Sequence, residues 1–216
     1  MHANGGLFGK IKNILNEREE STSFTPQVSG LRCIENWVDN EYGSEIIKLI
    51  DDRKWEQILI RRTQHYGEKF DYLKRKNFLS TLNLYEKDKE IEEIPNFLRI
   101  LSKRLFDDGI FPVIPNQITI NECMPGQGIG PHTDDKSIYS DTVASLSLGS
   151  NCIFIIKDKN RKSLPILIKP NSLIVLKNRA RYECDHGVRG QVYDIVDGVK
   201  VSRTRRISIT FRKSIL

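Results

Sequence analysis

The chain has 216 residues, 38% of them apolar and 29% charged, enough to bury a substantial core in one decorated domain without covalent staples. Its net charge of +6 suits a polyanionic partner, nucleic acid first, and equally suits plain solubility charge. The four cysteines, Cys33, Cys123, Cys152 and Cys184, contain no C-x-x-C spacing, which argues against a disulfide framework or a zinc knot, and no apolar run approaches the ~20 residues needed to span a bilayer. No secretory signal is evident, so a cytoplasmic or nuclear location away from membranes is expected.

In chain order, Leu7, Phe8, Ile11, Ile14 and Leu15 recur at helical spacing among Lys10, Lys12 and Arg18. A short capping helix or arm is preferred there over a basic membrane-surface helix, because Arg and Ser are not enriched. The polar string EESTSFTPQ (19–27) reads as a linker, so residues 1–27 are expected to form a flexible arm. A first strand is expected within 28–36, a helix over Asn40–Asp52 with Ile46, Ile47, Leu49 and Ile50 on its apolar face, and a strand over 54–62. The segment 63–85, rich in aromatics and bases, reads as loops or a hairpin. A second helix is predicted from Pro95, suited to a first helical turn, to Phe106, with Gly109 as its stop. From Gln117 the pattern changes to short β-rich runs: 117–123, 142–148, 152–157, 164–169, 172–177 and 205–212. Their regular spacing predicts a mainly β chain with N-terminal helices, closed as a sandwich or jelly roll. The pattern thus divides the chain into a helical support region, 28–116, and a jelly-roll region, 117–216.

His132-Thr133-Asp134 follows a strand and the turn PGQGIGP. Residues i and i+2 of an extended segment share a face, so imidazole and carboxylate can converge on one point. His186 is the natural third ligand, since His2 and His65 are the other histidines. Two imidazoles and one carboxylate make a facial triad with open positions on a metal. An isolated H-x-D is common by chance, a lone histidine in a β protein is more often structural, and the same three ligands suit zinc as well as iron. Arg206 and Arg212 flank ISITF at an even spacing of six, so both project from one face of a strand. A buried arginine needs an anion, and two on one face suit a dicarboxylate held by guanidinium forks. For an arbitrary R-x5-R, a pair of edge-strand arginines is the plainer alternative.

The strings NECMPGQGIGPHTD, SLSLGS, CDHGV and RRISITFR, in this order and spacing, resemble the AlkB family of Fe(II)/2-oxoglutarate-dependent dioxygenases. Together with the upstream string RRTQHYG, the PGQGIGPH and SLSLGS strings look most like the AlkB-type domain of eukaryotic tRNA wobble-uridine hydroxylases. The resemblance implies a double-stranded β-helix, with Fe(II) bound by His132, Asp134 and His186 as the catalytic centre. It implies that Arg206 meets the distal carboxylate of 2-oxoglutarate, that Arg212 lies near the carboxylate beside the keto carbon, and that Asn121 hydrogen-bonds the co-substrate. Cys123 stands where many members have a tyrosine that contacts 2-oxoglutarate, and Ser208 where some have an asparagine. Asp135 reads as a solvated turn residue more naturally than as a substrate contact.

The activity so implied is oxidation of a nucleic-acid base, a tRNA nucleoside first, by hydroxylation or demethylation. Demethylation repair of alkylated DNA and oxidation of a protein side chain are the alternatives. The cations and aromatics Arg61, Arg62, His65, Tyr66, Phe70, Tyr72, Lys74, Arg75, Lys76 and Phe78 favour nucleic acid through phosphate attraction and base stacking; for several of the aromatics, packing of the hairpin is the simpler role. The wobble-uridine enzymes carry an RNA-recognition module and a methyltransferase domain. A chain of this length leaves no room for either, so separate partners or another substrate are expected.

Overall fold

A computed structural model describes residues 23–24, 28–57, 60–67, 93–160, 162–196 and 198–215. The helical pattern at 7–15, together with Phe70, Tyr72, Lys74, Arg75, Lys76 and Phe78, lies outside them.

Two β-sheets face each other. The strands of the larger are β1 (Ser23–Phe24), β2 (Leu31–Ile34), β3 (Glu56–Gln57), β4 (Arg62–Gly67), β5 (Gln117–Cys123), β7 (Tyr139–Gly149), β10 (Ser172–Leu176) and β14 (Arg206–Ser214). They lie in the order β1-β2-β10-β7-β14-β5-β4-β3. The smaller sheet is β6 (Ile129–His132), β11 (Asp185–Val188), β8 (Cys152–Lys157) and β9 (Ser163–Ile168), in that order, and a separate hairpin joins β12 (Tyr193–Val196) to β13 (Val199–Ser202). All pairings are antiparallel. This is the jelly roll expected from the spacing of the strands. Strands from both sides of residue 116 belong to one sheet.

Register gives the large sheet two chemically opposite faces. Arg206, Ser208, Thr210 and Arg212 of β14 stand opposite Cys123, Asn121, Thr119 and Gln117 of β5, and opposite Gly149, Ser147, Ser145 and Val143 of β7. Thr63 and His65 of β4 continue the row beside Asn121 and Thr119. The intervening residues Ile207, Ile209, Phe211, Ile118, Ile120, Leu146 and Leu148 point the other way and are buried. They pack against two helices, α1 (Asn40–Asp51) and α2 (Asn96–Asp107), through Ile46, Ile50, Leu98, Leu101 and Leu105. The space between the sheets is thus apolar at one end, where Phe154, Ile156, Ile166 and Ile168 meet Leu31, Ile174 and Leu176, and polar along β5 and β14.

Asp39 caps α1 by accepting from the Tyr42 N–H. Pro95 sits at the cap of α2, one residue before its first turn, and Gly109 ends the helix with a φ of +68°, a conformation that glycine adopts without strain. In its described part, the expected strand over 54–62 holds β3 and the first residue of β4. His65 and Tyr66, expected in loops or a hairpin, belong instead to β4. The alternation there is disguised because Gln64 is a buried polar residue, donating to the Ile50 carbonyl at 2.9 Å and accepting from Tyr66 at 3.0 Å. β6 escapes the pattern because it holds a glycine and a proline, which its edge position tolerates. All four cysteines are buried free thiols. No described helix is long and apolar enough to cross a membrane.

Ile209, on the central strand and 0% exposed, is the test of the helix-packed face. Ile209→Ala is expected to cost about 2–5 kcal/mol, measured as a lower urea midpoint at unchanged slope; a loss under about 1 kcal/mol would mean that this face is not a close-packed core.

Candidate metal centre

Cross-strand pairing builds the site. His132 ends β6 directly opposite His186 of β11, and their ring centroids are 4.5 Å apart. Gly187 makes that approach possible: a Cβ on it would lie 2.6 Å from the Ile129 carbonyl. Asp134 follows two residues beyond β6. One ligand atom from each of His132, Asp134 and His186 lies within 4.8 Å of the other two, so all three residues singled out in the sequence meet, and no others among the described residues form such a cluster.

Each of the three side chains is oriented by its surroundings. His132 Nδ1 lies 2.9 Å from the Gly130 carbonyl, so it carries the proton and leaves Nε2 free as a donor atom. The His186 ring stacks on Phe154 at 5.8 Å, and burial pushes its pKa down to about 4. Asp134 is 7% exposed. Burial alone would raise its carboxyl, but Arg212, His186 and His132 override this and bring it to about 2. Arg212 donates to Asp134 Oδ1 through Nε at 2.8 Å and through Nη2 at 2.7 Å. Oδ2 is buried, accepts no hydrogen bond from the described residues and faces His186 Nε2 at 3.5 Å. An unsatisfied buried carboxylate oxygen beside two imidazoles is costly and fits a divalent cation well.

Arg181, on the short helix α3 (Asn178–Tyr182), is the residue that sequence reasoning missed. It is 2% exposed, and desolvation lowers its pKa. Its guanidinium donates to the backbone carbonyls of Asp134, Asp135, Tyr139 and Ser140 at 2.9–3.2 Å. One cation therefore ties down the whole segment that presents Asp134. Thr133 adds a bond to Asp185 at 2.7 Å, linking that segment to the residue before His186. A lone arginine in NRARY carries no pattern that would announce this. Asp135 accepts from the Ser137 N–H and hydroxyl, as a turn residue does.

The remaining candidates divide. Arg206, 5% exposed, donates to the Ser147 hydroxyl at 2.9 Å and meets no carboxylate among the described residues. Asn121 Oδ1 accepts from Arg61 Nε at 2.9 Å. Arg62 is committed to structure: it forms a fork with Glu122, lies over the Trp55 ring at 4.9 Å, and shares Glu122 with Arg205, which continues to Asp51. Hydrogen bonds from Arg62 hold Glu122 below the usual carboxylate range against the effect of burial.

The 2OG-Fe(II) oxygenase superfamily matches residues 30–212, and the chain belongs to it: the class of 2-oxoglutarate-dependent dioxygenases. Within that class it is an AlkB-type member. It is 32% identical over 192 residues to the uncharacterized protein L905 of Acanthamoeba polyphaga mimivirus, covering 87% of this chain and 86% of that one. It is 29% identical over 205 residues to the tRNA (carboxymethyluridine(34)-5-O)-methyltransferase alkbh8 of Xenopus tropicalis, covering 85% of this chain and 31% of that protein; the chain thus spans about a third of the frog relative. The solved structure of OsALKBH1 superposes with a TM-score of 0.68 at 14% identity, covering 89% of this chain and all of that one, which supports the fold.

Arg181→Met removes the donor from four backbone carbonyls. Affinity for a divalent metal is expected to fall about 10–100-fold with a lower Tm, followed by titration with Co(II) and by thermal melting. Wild-type metal affinity in the variant would refute the role of Arg181 in presenting Asp134.

Proposed function

We propose that the chain oxidises a nucleic-acid base, a tRNA nucleoside first, at Fe(II) held by His132, Asp134 and His186, with 2-oxoglutarate as co-substrate held by Arg206, Arg212 and Asn121. The observation that carries the co-substrate assignment is Arg206: a guanidinium this buried, on a polar face and paired among the described residues with a hydroxyl and no carboxylate, is stable when an anion completes it. Strand geometry supports a division of labour. Six residues at ~3.4 Å each separate the two arginine backbones by about 20 Å, so Arg212 serves the metal end, beside Asp134, and Arg206 the distal carboxylate. Cys123 stands directly opposite Arg206, and burial raises its thiol pKa. A thiol fills less space than the tyrosine common in the family, leaving room for a water at the distal end.

Dioxygen is the oxidant, and iron and 2-oxoglutarate, when bound, would supply the chemistry that turns it on a C–H bond, with 2-oxoglutarate giving up two electrons. The chain's residues bind, orient and exclude water: Arg212 keeps Asp134 charged and turned toward the histidines, Gly130 fixes the His132 tautomer, and Phe154 shields His186. The tRNA preference draws support from the frog relative's name; the +6 charge suits any nucleic acid. Separate RNA-binding or methyltransferase partners belong to the same proposal.

Two measurements test it. Anaerobic addition of Fe(II) and 2-oxoglutarate should give a visible charge-transfer band that His132→Ala abolishes, and Arg206→Lys should raise the 2-oxoglutarate requirement roughly tenfold with metal binding retained; an unchanged requirement would place Arg206 outside the site. In mass spectrometry of tRNA from cells with and without the protein, a nucleoside one oxygen heavier should depend on the protein. Formaldehyde released from methylated DNA, with tRNA unchanged, would overturn the tRNA assignment in favour of repair.

A further inference from the structure

The side chain of Asn121 is 9% exposed and bonds one described residue: its Oδ1 accepts from Arg61 Nε at 2.9 Å. The two ends of an amide are alike in shape and opposite in chemistry, an oxygen that accepts and a nitrogen that donates. A guanidinium has donors and no acceptor, so Arg61 can meet only Oδ1. Nδ2 is then the end left over, and it donates to no described residue. Asn121 stands opposite Ser208 of β14, one inner-face position from Cys123 and Arg206. Ser208 in turn lies opposite Ser147, whose hydroxyl accepts from Arg206.

Local structure brings Arg61 to this row. Thr63 of β4 pairs with Asn121. Alternation carried back past the start of β4 turns Arg61 to the inner face with Thr63, and Arg62 to Glu122 on the other side. Gln127 donates to the Ile60 carbonyl at 2.6 Å, which fixes the chain just before Arg61. Burial raises the Cys123 thiol pKa, and Arg206 and Arg61 both oppose that effect, so both cations stand near this thiol.

We infer that Arg61 is a positioning residue for the co-substrate: it sets the orientation of the Asn121 amide, so that Nδ2 and not Oδ1 is presented to the anion. The inference rests on the reading proposed above, in which Asn121 and the two arginines of β14 hold 2-oxoglutarate. In the reversed orientation a carbonyl oxygen would face the anion and repel it. An amide without a fixed neighbour takes both orientations, and the anion then bears the cost of ordering it on binding. Arg61, grouped by sequence with the phosphate-contacting cations, thus acts inside the fold, through a neutral side chain.

The test is a double-mutant cycle on binding alone. 2-Oxoglutarate is titrated by calorimetry into the full chain loaded with Co(II); Co(II) affinity and thermal melting check the metal centre and the fold of each variant. Arg61→Met and Asn121→Ala should each weaken 2-oxoglutarate binding roughly tenfold, the loss of one hydrogen bond to a charged group. The double variant should be no worse than either alone, because without the amide Arg61 has nothing to orient. Arg61→Lys, again a donor without an acceptor, should return affinity to within about threefold of wild type. Arg61 is half-buried, and the cycle is repeated with Arg61→Ala so that a folding defect of one variant does not decide the result. Additive losses, about a hundredfold in the double variant, would mean that Arg61 attracts the anion by its own charge and would overturn the positioning role. Wild-type affinity in Arg61→Met and Arg61→Ala, with Asn121→Ala weakened, overturns the role and leaves the co-substrate site standing. Wild-type affinity in Asn121→Ala removes Asn121 from that site and the inference with it. A wild-type chain that binds Co(II) and no 2-oxoglutarate overturns the co-substrate reading itself.

Discussion

Antiparallel pairing of β14 with β5 and β7 forces every second side chain of three central strands onto one face, and the sequence alternates so that this face is polar. Nothing in a β-sandwich requires that. The usual interior is apolar from both sheets, and each polar group buried there must find a partner or cost stability. The opposite face, Ile207, Ile209 and Phe211 on β14 alone, buries against two helices. Helix packing therefore carries the core energy outside the sheet and frees the inner face for chemistry. A one-residue slip of β14 would exchange the two faces, placing Arg206 and Arg212 under the helices and three large apolar groups in the site.

The same logic explains which parts of the molecule were readable from the amino acids. The central strands alternate cleanly, and α1 and α2 have apolar faces and plain stops, so their places follow from periodicity. The iron-type cluster was readable because its ligands are chemically rare: four histidines leave few combinations. What stayed hidden depends on contacts distant in sequence. Gln64 breaks the pattern of β4 because its amide is satisfied by the Ile50 carbonyl. His186 looked interstrand because DHGV has little β character of its own; it becomes strand by pairing with both β8 and β6. Arg181 acts on backbone carbonyls, which every residue possesses, so nothing in the sequence marks its targets.

The arginines show why a charge count is a weak guide to a binding surface. The upstream pair Arg61-Arg62 looked like one basic patch. Alternation sends the two to different tasks: Arg62 to the Glu122–Arg205–Asp51 chain on the helix side, Arg61 to Asn121 on the inner side. Arg203 is likewise spent on the fully buried Asp194. The carboxylate-paired guanidiniums of Arg62, Arg203 and Arg205 are structural, and replacing a partner would leave an unpaired charge behind.

Setting the committed arginines aside leaves a short remainder with a spatial order. Arg212 is balanced by Asp134, whose carboxyl it helps to hold ionised against the effect of burial. Arg206, farther along the same face, has a hydroxyl and, among the described residues, no carboxylate. On the helix-packed side of the large sheet, Arg62 and Arg205 are matched by Glu122 and Asp51, whereas the inner face holds a guanidinium without such a match. A buried guanidinium without a carboxylate is hard to attribute to solubility, which would favour scattered surface charge. It fits a site that takes a small anion, such as a dicarboxylate, enclosed within the fold.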